Sequence, residues 1–353
     1  MTNVAIVGLG RISPLHIEGY RQLGDRVQIT AVCDADPQRA SAAADHAGAR
    51  VASFDQILAD DNIDAVEILV PSSVQAELGM QAIASGKHVT LQKPLAGDLA
   101  TGRALVDAAH RAGVLLRVFE NTINAPSWRE AERLIADGLI GKPLSIYLRW
   151  ANSLLPCGWE VPSAAWEWRH AGPWATQFAA PALFDDSAHL LSPAIALFGK
   201  VGEVIALSGT QQVADRTTGF PYAIAWHHTS GGQAVVEGSL CDDLEILTDQ
   251  YSADTGITIT GSAGLLWINT GEGRAAERPT IEVATRGVLT AYAADHRWSA
   301  AWAVAQAEWV DALRGEGTFR WNGEQALLVL EGSLGIDQAV RAARQRRLDG
   351  PNA

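Results

Sequence analysis

Residues 4–16 read VAIVGLGRISPLH, and this stretch decides the fold. Val4–Val7 is an unbroken apolar run, the pattern of a strand covered on both faces. Gly8 and Gly10 follow at once, and Pro14–Leu23 has helical period. Glycines between a strand and a helix permit a tight turn. They also let backbone N–H groups approach a pyrophosphate at the positive helix end. The third glycine of that pattern is replaced by Ser13, which is still small enough for close helix packing.

The alternation continues outward. Ile29–Cys33, Ala65–Val70, His88–Leu91 and Leu115–Phe119 read as strands, and Pro37–Ala47, Gln75–Ser85 and Leu99–Ala112 as helices. Continuous apolar strands alternating with helices imply a parallel sheet covered on both sides. Asp34 ends the second strand, 26 residues beyond Gly8. A carboxylate there accepts hydrogen bonds from both ribose hydroxyls and repels a 2′-phosphate, which favours NAD over NADP. Arg39 either stacks on the adenine or is an ordinary exposed helix arginine.

After a helix over Trp128–Asp137 the pattern changes. Strand-like runs at Leu144–Trp150, Val201–Ser208, Tyr222–His227, Ala234–Leu240, Glu245–Thr248, Ile257–Thr260 and Leu265–Ile268 read as one large, mostly antiparallel open sheet. Two helices, Ala300–Leu313 and Glu324–Arg341, close the chain. The fold class is therefore α/β: a Rossmann domain over residues 1–122, then an α+β domain over 123–353. A large sheet with one face in solvent calls for a cover, so a homodimer or homotetramer is expected.

Composition narrows the function. The 353 residues carry a formal charge of −13, with 48% hydrophobic and 19% charged residues. Neither nucleic acid nor an anionic membrane fits such a surface, because both require basic patches. No apolar run is long enough to span a bilayer, and the N-terminus shows no basic region or cleavage site of an export signal. Cys33, Cys157 and Cys241 lie too far apart in sequence for a disulfide framework or metal knuckle. The expectation is a cytoplasmic protein with no metal.

The phrases NIDAVEILVPSS, AIASGKHVTLQKPLA, ERLIADGLIGKPLSI and LFDDSAHLL…LFG occur in order along the chain. With them the sequence resembles the glucose–fructose oxidoreductase/inositol dehydrogenase family over almost its full length. The resemblance implies NAD-dependent oxidation or reduction of a secondary alcohol on a sugar, glycoside or cyclitol. It assigns Lys93, in the segment QKP, to both the nicotinamide ribose and the reacting hydroxyl, where a cation stabilises a developing alkoxide. The alternative is a strand-end lysine that snorkels to water. Pro94 raises the expectation of a cis bond that aims the lysine.

The family's second signature falls on Asp185 and His189. On one helical turn the carboxylate orients the imidazole, which takes the hydroxyl proton while hydride leaves the same carbon. In that arrangement Asp186 faces elsewhere. If instead Ser192 and Pro193 cap and start a helix, His189 sits in the loop before it. On the cofactor side the resemblance adds Arg11, Ile12, Pro71, Gln92 and Asn121, with Asn121 and Glu120 facing the nicotinamide at the end of the strand Leu115–Phe119. Gln75, Gln92 and Ser187 depart from the histidine, glutamate and glycine usual in the family.

Five of the twelve tryptophans fall between 150 and 174. Trp159, Trp166, Trp168 and Trp174 offer flat faces for a sugar ring or aromatic aglycone, and Arg169, with His170 beside it, offers donors to hydroxyls. Packing or a subunit contact is the equal alternative. Trp159, Trp168, Arg169 and His189 are thus the candidate substrate contacts. Two other functions compete with the dehydrogenase. One is a NAD-assisted glycoside-cleaving enzyme that oxidises C3 transiently, and the other is a catalytically silent NAD or sugar sensor.

Overall fold

The computed structural model describes residues 1–155, 177–213, 216–248, 252–269 and 273–348. The chain divides into two compact units. In the first, six strands form one sheet: β1 (Thr2–Val7), β2 (Val27–Cys33), β3 (Arg50–Val51), β4 (Ala65–Ile68), β5 (His88–Gln92) and β6 (Leu116–Phe119). Their order is β3-β2-β1-β4-β5-β6, and every pair is parallel. The winding direction reverses between β1 and β4. In such sheets the crevice outside the carboxyl ends at that point takes the ligand.

Helices α1 (Ser13–Arg21), α2 (Pro37–Ala47), α3 (Phe54–Leu58), α4 (Ser72–Ala84) and α5 (Leu99–Ala112) connect the strands. The bounds of α2 and α5 follow from local chemistry. The Asp36 side chain accepts from the N–H groups of Gln38 and Arg39, and Asp98 from that of Thr101. Gly48 and Gly113 then end the two helices in the left-handed region.

The expected division at 1–122 and 123–353 needs correction. The first unit comprises Met1–Asn124 and also Ser299–Leu330; the second comprises Ala125–Trp298 and Glu331–Ala353. Packing is the reason. Helix α8 (Ala300–Leu313) buries Trp302 and Trp309 in the first unit. Trp302 lies 5.3 Å from Phe119 of β6, centroid to centroid. Gly19 of α1 admits α8 closely, since a Cβ there would meet the Trp302 backbone at 3.1 Å.

The second unit holds an eight-stranded sheet of β7 (Pro143–Ser153), β8 (Val201–Ser208), β11 (Tyr222–His228), β12 (Gln233–Cys241), β13 (Ala253–Gly261), β14 (Gly264–Ile268), β15 (Ile281–Thr285) and β16 (Val288–Tyr292). A separate hairpin pairs β9 (Gln211–Val213) with β10 (Arg216–Thr218). The large sheet runs β16-β15-β14-β13-β7-β12-β11-β8 and is antiparallel except where β7 and β12 pair in parallel. The expected strand over Glu245–Thr248 is absent. Leu247 makes one isolated bridge to Arg274 and joins no ladder. Helices α6 (Pro126–Ala136), α7 (Pro181–Phe198) and the later turns of α9 (Gly323–Leu348) belong to this unit. On one face of the sheet Ile146, Ile224, Val236, Ile259 and Leu266 are buried. The opposite face carries Ile205 and Leu207, 63% and 71% exposed.

Candidate functional site

Gly8 leaves β1 with φ +91°. A Cβ there would lie 2.7 Å from the Leu69 carbonyl oxygen, so the turn admits only glycine. A Cβ on Gly10 would meet nothing within 4 Å, so that side of the loop is open. Ser13 takes the third-glycine position and uses its hydroxyl, which donates to the Gly10 carbonyl at 2.8 Å. Ile12 is the N-cap of α1 and provides no side-chain cap to the first turn. The loop thus combines a helix end without a side-chain cap and an open glycine face, which fits a dinucleotide pyrophosphate.

Asp34 closes the cradle. Its Oδ2 accepts from the Leu9 N–H at 2.6 Å, and its Oδ1 from the Asp36 N–H and Arg39 Nη2, both at 2.8 Å. Burial alone would raise this carboxyl, but Arg39 and the two backbone donors outweigh it and hold it below the usual range. Asp34 is therefore ionised, as ribose recognition requires. Arg39 is ion-paired to Asp34 with its side chain half exposed. Pro71 caps α4 at the end of β4, Gln92 ends β5, and Asn121 follows β6. The topology thus brings Gly8, Gly10, Asp34, Pro71, Gln92, Lys93 and Asn121 to the carboxyl edge of one sheet. Arg11 is half-buried in the turn. Glu120 is fully buried, and its Oε2 accepts from the Ile123 N–H at 3.1 Å, so it caps its own turn.

Lys93 is half-buried directly after β5, and the Lys93–Pro94 bond is cis, as expected. Gln75, fully buried on α4, places its Nε2 2.8 Å from the Gln92 carbonyl and 2.5 Å from the Pro94 carbonyl. The departure from histidine at this position thus has a structural use. Gln92 reaches His16 with Nε2 at 2.8 Å from the ring Nε2.

Behind His16 lies a buried charged row. Glu67, Thr90 and Arg117 are register partners across β4, β5 and β6. His16 Nδ1 meets Glu67 Oε1 at 2.8 Å, and Arg117 Nη2 meets the same oxygen at 3.3 Å. Arg117 also donates to Thr90, to the Ala305 carbonyl and to Gln306 Oε1. Burial would raise the Glu67 carboxyl, but His16, Arg117 and Gln306 outweigh it and keep it low. Burial and the Glu67 charge push the Tyr20 phenol well above its ordinary value. Sequence reasoning passes over His16, Glu67, Arg117 and Gln306. The signal for two of them is a charge of each sign inside apolar strands, where parallel sheets rarely carry any.

In the second unit Asp185 and His189 lie on one helix, α7, with the i, i+4 spacing expected. The alternative start at Ser192 is overturned: α7 runs through Pro193, and the Ser192 hydroxyl donates back to the Ala188 carbonyl at 2.7 Å. Asp185 is buried, His189 is half-buried, and the His189 ring lies 6.1 Å from that of Trp150. Asp186 is half-buried on the same helix. Burial, and then the Asp186 charge, raise the Tyr222 phenol. Ser187 is fully buried, with its Oγ 2.7 Å from that of Ser333. Trp159, Trp166, Trp168, Arg169, His170 and Trp174 lie outside the described residues.

Residues 2–120 match the model of an oxidoreductase family with an NAD-binding Rossmann fold, the glucose–fructose oxidoreductase/inositol dehydrogenase group. Over these residues the chain belongs to this family. Within it, the chain is similar to D-apiose dehydrogenase of Paraburkholderia graminis, 29% identical over 340 residues, covering 92% of this chain and 84% of that one. It is 31% identical over 160 residues to an inositol 2-dehydrogenase/D-chiro-inositol 3-dehydrogenase of Lactiplantibacillus plantarum, covering 44% of this chain and 46% of that one. An NAD-binding oxidoreductase from Klebsiella pneumoniae shares the fold, with a TM-score of 0.80, 21% identity and coverage of 98% and 97%. Residues 2–120 thus form an NAD-binding Rossmann domain of an oxidoreductase family. Among the described residues, no helix is long and apolar enough to cross a membrane.

Proposed function

We propose that the chain is a dehydrogenase that moves hydride between NAD and a secondary hydroxyl of a sugar or cyclitol. One observation carries this reading: an ionised Asp34 and the cationic side chain of Lys93 share the carboxyl edge of the sheet with a glycine cradle shaped for a pyrophosphate. The named actions of the relatives on D-apiose and inositols support the substrate class. When bound, the nicotinamide accepts or returns the hydride. Lys93 is assigned the reacting oxygen, where its charge stabilises the alkoxide as it forms. Within the second unit, His189, one turn after Asp185 on α7, is assigned the acid–base role.

Incubating the pure protein with NAD and a panel of D-apiose, myo-inositol, other aldoses and aryl glycosides tests the reading, with reduced-nicotinamide absorbance recorded. A polyol-dependent rise that Lys93→Ala abolishes is expected. The same rate in Lys93→Ala would refute the assignment, and released aglycone without net NADH would replace it with transient-oxidation chemistry.

The oligomer expectation rests on the outer sheet face. Ile205, Ala225, Val235, Tyr147 and Thr258 form one row across five strands, with Leu207 in the next. The exposed Ile205, Leu207 and Val235 on this face fit a second copy of the chain. A monomeric mass in solution would refute it. Free Cys33 and Cys241 accord with a reducing, cytoplasmic setting.

A further inference from the structure

We propose that Gln75 and Gln92 are positioning residues for Lys93, suspending its backbone from an anchor buried under the sheet. The inference deepens the reading of Lys93 given above and rests on it. Carbonyl oxygens only accept, so the Gln75 amide must present its NH₂ end to the Gln92 and Pro94 oxygens, 2.8 and 2.5 Å away. Those two carbonyls flank Lys93 on either side. Gln75 is 0% exposed.

The second tether joins Gln92 Nε2 to His16 Nε2 at 2.8 Å, and the other ring nitrogen, Nδ1, lies 2.8 Å from Glu67 Oε1. Glu67 is held in turn by Arg117 and by Gln306, whose Nε2 lies 3.2 Å from both carboxylate oxygens. These contacts end on the Glu67–Arg117 pair inside the sheet. A neutral imidazole at position 75 offers a single N–H and keeps one of the two carbonyl bonds, the shorter apolar leucine keeps none, and a carboxylate opposes both.

The order of turnover expected is wild type, then Gln75→His, Gln75→Leu and Gln75→Glu. A catalytic group displaced by about 1 Å costs on the order of 100-fold. Gln75→Leu should therefore lose about 10- to 100-fold in kcat, with KM for NAD within about threefold. A readout independent of substrate uses the scarcity of lysine: the chain has only Lys87, Lys93, Lys142 and Lys200. After reductive ¹³C-methylation, the Lys93 signal, assigned with Lys93→Arg, should shift or broaden in Gln75→Leu and in Gln92→Leu. Those of Lys142 and Lys200 should hold.

An unmoved Lys93 signal in both variants overturns the proposal, and so does a kcat loss matched by an equal rise in KM for NAD. If Gln75→Leu does not fold, Gln75→His carries the same comparison. Full turnover in Lys93→Ala would sink the catalytic reading of Lys93, while the methyl signals would still decide whether the clamp exists.

Discussion

Replacing Arg117 with methionine tests whether the charged row across β4, β5 and β6 is a single energetic unit. Arg117 is 2% exposed and donates to Thr90 Oγ1 at 3.1 Å, to the Ala305 carbonyl at 2.8 Å, to Gln306 Oε1 at 2.7 Å and to Glu67 at 3.3 Å. Its guanidinium also lies 4.9 Å from the Trp309 ring centre. Methionine keeps much of the stem and the ring contact but leaves the Glu67 charge short of a cation. Breaking one side of a buried pair costs about 3–5 kcal/mol. Glu67→Gln should cost a similar amount, because it strands the Arg117 charge.

In the double variant both charges go together, and what remains is the loss of the hydrogen bonds to Thr90, Ala305 and Gln306, about 1 kcal/mol each. The double variant should therefore be less damaged than the sum of the singles by at least about 3 kcal/mol. For a domain of this size each kcal/mol moves Tm by about 2–4 °C, so Arg117→Met should fall by roughly 10 °C in calorimetry at pH 7. Additive singles, or an Arg117→Met Tm within about 2 °C of wild type, would show that the row is not coupled.

Asp34→Ser removes the carboxylate that repels a 2′-phosphate, so the NADPH-to-NADH affinity ratio by fluorescence titration should rise at least about tenfold. An unchanged ratio would move ribose recognition off Asp34. Gly8→Ala combines left-handed strain with a Cβ pressed on the Leu69 carbonyl, and should cost about 2–5 kcal/mol together with NADH affinity. A wild-type Tm would contradict the turn geometry. His228 accepts from Trp226 Nε1 at 2.9 Å, and burial lowers its pKa. Its stabilising contribution is thus whole above the ordinary histidine value of about 6.5 and is lost as pH falls through that value toward the folded one. Tm should decline from about pH 7 to 5, and His228→Gln should flatten that slope; an unaltered slope would assign the loss to other groups such as His88, which burial also lowers.

Elements with punctuation in the sequence are legible there. Asp36 and Gly48 bracket α2, Asp98 and Gly113 bracket α5, and the glycine turn after Val7 identifies the first sheet. The same reading cannot tell which sheet a later helix covers. Helix α8 is bounded correctly by its period, yet its place beside α1 depends on Gly19 leaving room for Trp302, a long-range fit with no local signature. Pro193 is a case of tertiary override, because its ring ordinarily marks a helix start or break and here lies inside α7. The clamp around Lys93 is hidden for another reason. Gln75 and Gln92 read as departures from a motif until register and burial show what their amides face.

Because Ser299–Leu330 completes the first unit, that unit cannot mature when its own sheet has been synthesised. At ribosomal speeds of about 5–20 residues per second, the surface that will receive Trp302 and Trp309 waits on the order of ten seconds or more for its helix. During that wait Glu67 and Arg117 lack Gln306. A fragment ending at Asn124 reproduces this interval permanently, so it should be recovered in inclusion bodies or bound to chaperones.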